Sequence, residues 1–191
     1  MPTLYHFTAR LYLPSILRNG INKGDVATAL NHGFNAPWLT TDPDYNKQPW
    51  NMGSFLDKTE VRLTVEVPEG DENLWSWSDI AKKYDIDPRW FATMTHDGVK
   101  ADSWFARLGG IPLMWVTEIK ERQGLAPFDL EEFIEQMPDE IGRLEHRGEP
   151  GVVGKAEWFS STKAEWMESL AKPVRPWAPD TGEWGYGKSA V

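Results

Sequence analysis

Apolar and polar residues alternate over Thr3–Thr8, which predicts a short strand with Leu4, His6 and Thr8 on one face and Tyr5 and Phe7 on the other. The period then changes. In LYLPSILRNGI, Leu13, Ile16 and Leu17 share a helical face, Pro14 suits a first turn and Gly20 is placed to end the helix. Lys23–Pro37, rich in Asn, Gly and Asp, reads as a loop leading into a second short strand, Trp38-Leu39-Thr40-Thr41, closed by a turn at Asp42-Pro43. Tyr45–Lys58 has no period. Glu60–Val67 is the clearest strand: Val61, Leu63, Val65 and Val67 alternate with Glu60, Arg62, Thr64 and Glu66.

Downstream, Trp77, Ile80, Ala81 and Tyr84 fall at helical spacing, and Pro88 opens a further helix behind an Asp87 cap. Leu113–Ile119 is expected as a strand after Gly109-Gly110. Asp129–His146 is expected as one amphipathic helix, kinked or split at Pro138. Thr162 and Glu165 match a capping box for a helix to Ala171. Strands and helices mix without βαβ regularity, so the expected class is α+β, as one domain over 1–172 with a Pro/Gly/Trp-rich tail over 173–191.

Composition narrows the chemistry. The chain has 191 residues and a net charge of −9, which disfavours a protein that lives by non-specific phosphate contacts. It has no cysteine, which removes disulfides, thiolate metal sites and a Cys nucleophile. Eleven tryptophans could fill a core or stack on planar ligands. No signal pattern opens the chain and no apolar run approaches the roughly 18 residues that span a bilayer, so a cytoplasmic location without a membrane partner is expected. GxGxxG, HExxH and GxSxG are all missing from the sequence, and a metal site is not expected.

Three strand residues remain as candidates. His6, inside a strand, is either a core histidine held by hydrogen bonds or a ligand-facing one. Trp38, Thr40 and Thr41 stand beside a turn. Glu118 is a lone carboxylate in the run MWVTEI; it is solvated, or it is catalytic if it points into a cleft. Glu66 and Glu157 are alternative carboxylates.

The opening YHFT…LPSILRNGI…GD, followed by APWLTTDPD, resembles the start of proteins with the ADP-ribosyltransferase fold. That group includes poly- and mono-ADP-ribosyltransferases, DNA-targeting toxins and tRNA 2′-phosphotransferases. The likeness covers about the first 45 residues and implies a split β-sheet core with flanking helices in a bacterial or phage toxin-like transferase. It further implies that His6 holds a ribose hydroxyl of NAD, that the Phe7 backbone, with Thr8 beside it, holds the nicotinamide carboxamide, and that Trp38 replaces a stacking Tyr. Thr40 and Thr41 would lie in the Ser/Thr-rich segment, and Glu118 would be the catalytic carboxylate. The implied activity is a glycosyl transfer from NAD, used as substrate, to a protein or nucleic-acid acceptor. NAD hydrolysis, RNA 2′-phosphotransfer and a non-catalytic binding module are the alternatives. An E-x-E or Q-x-E pair is missing, since Val116 stands two residues before Glu118, which argues against arginine as the acceptor.

Overall fold

The structure is a computed structural model that describes residues 3–29, 32–48, 56–92, 101–136, 140–146 and 154–171. It is a mixed α/β protein in which every strand pairing is antiparallel. The strands are β1 (Thr3–Thr8), β2 (Asp25–Ala29), β3 (His32–Asn35), β4 (Trp38–Thr40), β5 (Val61–Glu66), β6 (Leu74–Ser76), β7 (Trp104–Arg107), β8 (Val116–Glu121), β9 (Glu140–His146) and β10 (Gly154–Thr162). Five of the helices are α1 (Leu13–Asn19), α2 (Trp77–Lys83), α3 (Pro88–Ala92), α4 (Leu130–Gln136) and α5 (Lys163–Ala171). Among the described residues the strands form a six-stranded sheet ordered β6-β7-β4-β1-β5-β8 and a four-stranded one ordered β2-β3-β10-β9. No described helix is long and apolar enough to cross a membrane.

Alternation along β1 and β5 gives the large sheet two unlike faces. On one, Leu4, Leu39, Val61, Leu63 and Val65 are sealed under Ile16 of α1 and the bridged pair Ile21 and Ile111. On the other, Trp104 and Ala106 of β7 pack with Trp77 and Ile80 of α2 and with Val26 and Phe34 of the β2–β3 hairpin. The half of this second face over β1, β5 and β8 carries Tyr5, Arg62, Thr64 and Glu118 and stays partly open.

Several local expectations hold. Gly20 ends α1 at φ +72°, where its N–H bonds the Ile16 carbonyl at 2.8 Å. A Cβ there would overlap the Ile111 carbonyl. Gly20→Ala is therefore expected to lower stability by about 2 kcal/mol or more in urea unfolding, from left-handed strain plus the displaced Ile21–Ile111 bridge. Thr162 and Glu165 form the capping box, with the Thr162 N–H on the Glu165 carboxylate at 2.9 Å and the Glu165 N–H on the Thr162 hydroxyl at 3.3 Å. Asp87 caps α3 by accepting the Arg89 N–H at 2.8 Å.

Others are corrected. Within Lys23–Pro37 lies a hairpin, β2–β3, whose inward Val26 and Phe34 are sealed against α2. The long helix over Asp129–His146 is two elements: α4 ends at Gln136, and Glu140–His146 is a strand paired with β10 from Thr162↔Glu140 to Ala156↔His146. Apolar residues three apart, such as Ile141 and Leu144, fit a helix on paper, but a neighbouring strand supplies a complete ladder and wins. The predicted strand at Leu113 begins instead at Val116, after a 3₁₀ turn over Leu113–Trp115. Pro138 and the tail over 173–191 lie outside the described residues.

Candidate functional site

β1 is the hinge of the site. It pairs with β5 along its whole length, from Thr3↔Glu66 to Thr8↔Val61, but with β4 only at Tyr5↔Thr40. Past Tyr5 the β1–β4 ladder is not continued, so Phe7 and Thr8 have no registered partner on the β4 side. At this notch the His6 side chain does what a ladder N–H would do: Nδ1 lies 2.9 Å from the Trp38 carbonyl.

That one contact determines the state of the ring. A carbonyl oxygen only accepts, so Nδ1 carries the proton. Burial lowers the imidazole pKa from 6.5 to about 4; the Trp38 hydrogen bond opposes this, and the charge of Lys58 adds to it. Near pH 7 the ring is neutral and Nε2 is a lone-pair acceptor. Nε2 bonds no described residue, and it is not one of the polar atoms sealed inside the molecule.

The remaining candidates do not all join it. Residues opposite one another in an antiparallel ladder share a face. His6 pairs with Leu63, and Leu63 with Ile119. Tyr5 pairs with Thr64, and Thr64 with Glu118. Glu118 therefore projects from the face opposite His6. On that face its Oε1 binds Lys120 Nζ at 2.9 Å and its Oε2 accepts from the Thr64 hydroxyl at 3.2 Å. Lys120 is the main reason its carboxyl titrates below the usual range, with smaller help from Thr64 and Arg62. The catalytic role that the resemblance implies for Glu118 would need it to share a cleft with His6, and the register puts the two on opposite faces.

Trp38 is divided. Its carbonyl serves His6, but Thr40 pairs with Tyr5, so the Trp38 and Thr40 side chains lie on the face away from His6. The indole packs edge-on against Trp77 at 5.3 Å and Trp104 at 6.4 Å, and its Nε1 donates to the Asp25 carbonyl at 2.7 Å. It is a core-facing ring, not a wall beside His6. The Thr40 hydroxyl accepts the Asp42 N–H at 3.1 Å and shapes the turn. Thr41 is exposed, with its N–H on the Ser103 carbonyl at 2.9 Å. The Phe7 ring turns away from His6 to meet Tyr45 edge-on at 5.4 Å, while Thr8 is buried on the His6 side.

Glu66 sits on the far end of β5 on the face opposite His6, exposed, and the Glu157 side chain lies outside the described residues. No carboxylate among the described residues contacts His6. No group of three or more His, Asp or Glu side chains among them could hold a metal ion. A shallow concavity lined by Leu74, Trp75, Asp79, Lys82 and Lys83 lies at the β6–α2 edge, with two strands between β6 and β1. Arg62 is, with Arg10 and Arg18, an early phosphate candidate in the sequence, but its place beside Glu118 and the contact of Tyr45 with Phe7 are not legible there. No known family, curated protein or solved structure matches the chain.

Proposed function

We propose that the notch between β1 and β4 binds the ribose of NAD and that the protein is an ADP-ribosyltransferase-type enzyme. The observation that carries this is His6: a neutral imidazole, anchored at Nδ1, offering Nε2 to a ligand hydroxyl. A ribose diol supplies the donor that this nitrogen lacks. The interrupted pairing at Phe7 and Thr8 leaves strand backbone at the same notch for an amide such as nicotinamide. In the transfer, the nicotinamide–ribose bond breaks with its electron pair leaving on the nicotinamide nitrogen. The acceptor then bonds to the sugar carbon and gives up its proton to solvent. His6 orients the ribose for this and keeps its own protonation state.

Positive charge builds on the sugar as that bond breaks, and a carboxylate nearby would stabilise it. Glu118, fixed on the other face, is not assigned that role. This favours a second reading, in which the same notch binds NAD or a related nucleotide without turning it over.

Labelled NAD incubated with the protein and a cell lysate separates the two. Label transfer by the parent protein, lost in His6→Ala, supports the transferase. Saturable NAD binding without transfer or free ADP-ribose supports the binding module. Glu118→Gln is expected to leave NAD affinity at the notch, read from the His6 ring resonances, within about twofold of the parent, because its carboxylate does not face the notch. Failure to bind NAD at millimolar concentration would sink both readings.

A further inference from the structure

The open half of the face opposite His6 holds a second cluster, centred on Arg62. The Arg62 side chain is only 14% exposed. Its guanidinium lies over the rings of Tyr5, at 5.1 Å, and Tyr45, at 5.6 Å. Among the described residues its one hydrogen bond runs from Nη1 to the Pro43 carbonyl at 2.9 Å. Nε is buried without a partner, and Nη2 stands 3.7 Å from Glu118 Oε2, beyond hydrogen-bond range. The N–H groups of Nε and Nη2 point along one edge of the guanidinium and form its side-on fork. That fork is short of acceptors, and a buried donor left unmade is costly enough to ask what completes it.

Around the same carboxylate, Lys120 Nζ approaches Oε1 at 2.9 Å and the Thr64 hydroxyl donates to Oε2 at 3.2 Å. Two cations and a hydroxyl thus converge on Glu118, which hangs from the sheet's terminal strand and is 44% exposed. We propose that Arg62, Lys120 and Thr64 form a binding site for a phosphate group, and that Glu118 occupies it as an internal substitute that swings outward when phosphate enters. A phosphate brings more oxygens than a carboxylate and can meet the Arg62 fork side-on while keeping Lys120 and Thr64. The site is independent of the His6 notch, since the two lie on opposite faces of the sheet.

The test is an amide NMR titration of the full chain with inorganic pyrophosphate, for the parent protein, Glu118→Gln, Lys120→Gln and the double variant. Removing the competing negative charge should tighten pyrophosphate binding about tenfold in Glu118→Gln. Adding Lys120→Gln should reverse most of that gain, with shifts centred on Thr64 and β8. Equal binding by the parent and Glu118→Gln, shifts centred elsewhere, or no saturable binding by either would overturn the proposal. Because Arg62 is mostly buried, Thr64→Val supplies a further check without disturbing the guanidinium: it should weaken binding several-fold. Competition by a short single-stranded oligonucleotide would identify the source as backbone phosphate, and its failure to compete would identify a small phosphorylated molecule.

Discussion

Between pH 6.5 and pH 4 the parent protein should lose about 3 kcal/mol of folding stability that a His6→Asn variant keeps. The folded-state pKa of His6 lies near 4, below its ordinary 6.5. Above 6.5 the ring is neutral whether the chain is folded or not, and the group's contribution is fully present. As the pH falls through that value the unfolded chain takes up a proton that the folded chain refuses, and stability declines. The decline is complete once the folded ring protonates near 4. Two and a half pK units at about 1.4 kcal/mol each give the magnitude. Asparagine keeps an N–H close to the Nδ1 position, so the bond to the Trp38 carbonyl can survive while the titration is removed. Urea unfolding at half-unit pH steps gives the two curves, and their difference cancels every carboxylate that titrates in both. Parallel curves would mean that the folded ring is solvated and titrates as it does in the unfolded chain.

Trp77→Ala should lower stability by about 3–5 kcal/mol, the range for deleting a large buried aromatic side chain. Trp77 is 1% exposed. It stacks on Phe91 at 5.8 Å with the planes 9° apart, meets Trp38 edge-on at 5.3 Å, and donates from Nε1 to the Phe91 carbonyl at 3.1 Å. Its loss would remove the nearer of the two rings packed on Trp38, and the Trp38 carbonyl positions His6. In a chain of this length the melting temperature should fall by roughly 10 °C. Trp77→Phe should recover much of the loss, since the ring contact returns and only the indole hydrogen bond stays missing. A drop under about 1 kcal/mol for the alanine variant would show that the tryptophan cluster is not a packed core.

The reach of the sequence was set by how local each signal is. The alternation of Thr3–Thr8 and Glu60–Val67 is a property of neighbouring residues, and β1 and β5 follow it. So do the Gly20 helix end and the Thr162–Glu165 capping box, each satisfied within a few residues. β6 and β7, of three and four residues, are too short to show a period, and they exist because neighbouring strands supply partners, β7 for β6 and both β4 and β6 for β7. Glu140–His146 could have continued α4 or paired with β10, and the choice lies in contacts across the chain.

The candidate site was legible in its residues and not in its geometry. His6 stands out as a polar ring in an apolar run, and its environment is unusual. Whether Glu118 and Trp38 share its face depends on register, which is decided by pairings of residues more than fifty apart, such as Tyr5↔Thr64 and Thr64↔Glu118. A one-residue slip would have reversed the answer. The shift in ladder between Thr64 and Val65, where β5 meets β8, is a feature that alternation alone does not reveal.

The central claim is that His6 is held as the Nδ1-protonated neutral tautomer with Nε2 open to a sugar hydroxyl. Nitrogen-15 NMR of the histidine ring at pH 7, with and without NAD, reads this directly. The expected result is an unprotonated Nε2 and a protonated Nδ1 in the free protein, with the Nε2 resonance moving saturably as NAD is added. An imidazolium, the opposite tautomer, or an Nε2 signal indifferent to millimolar NAD would contradict it.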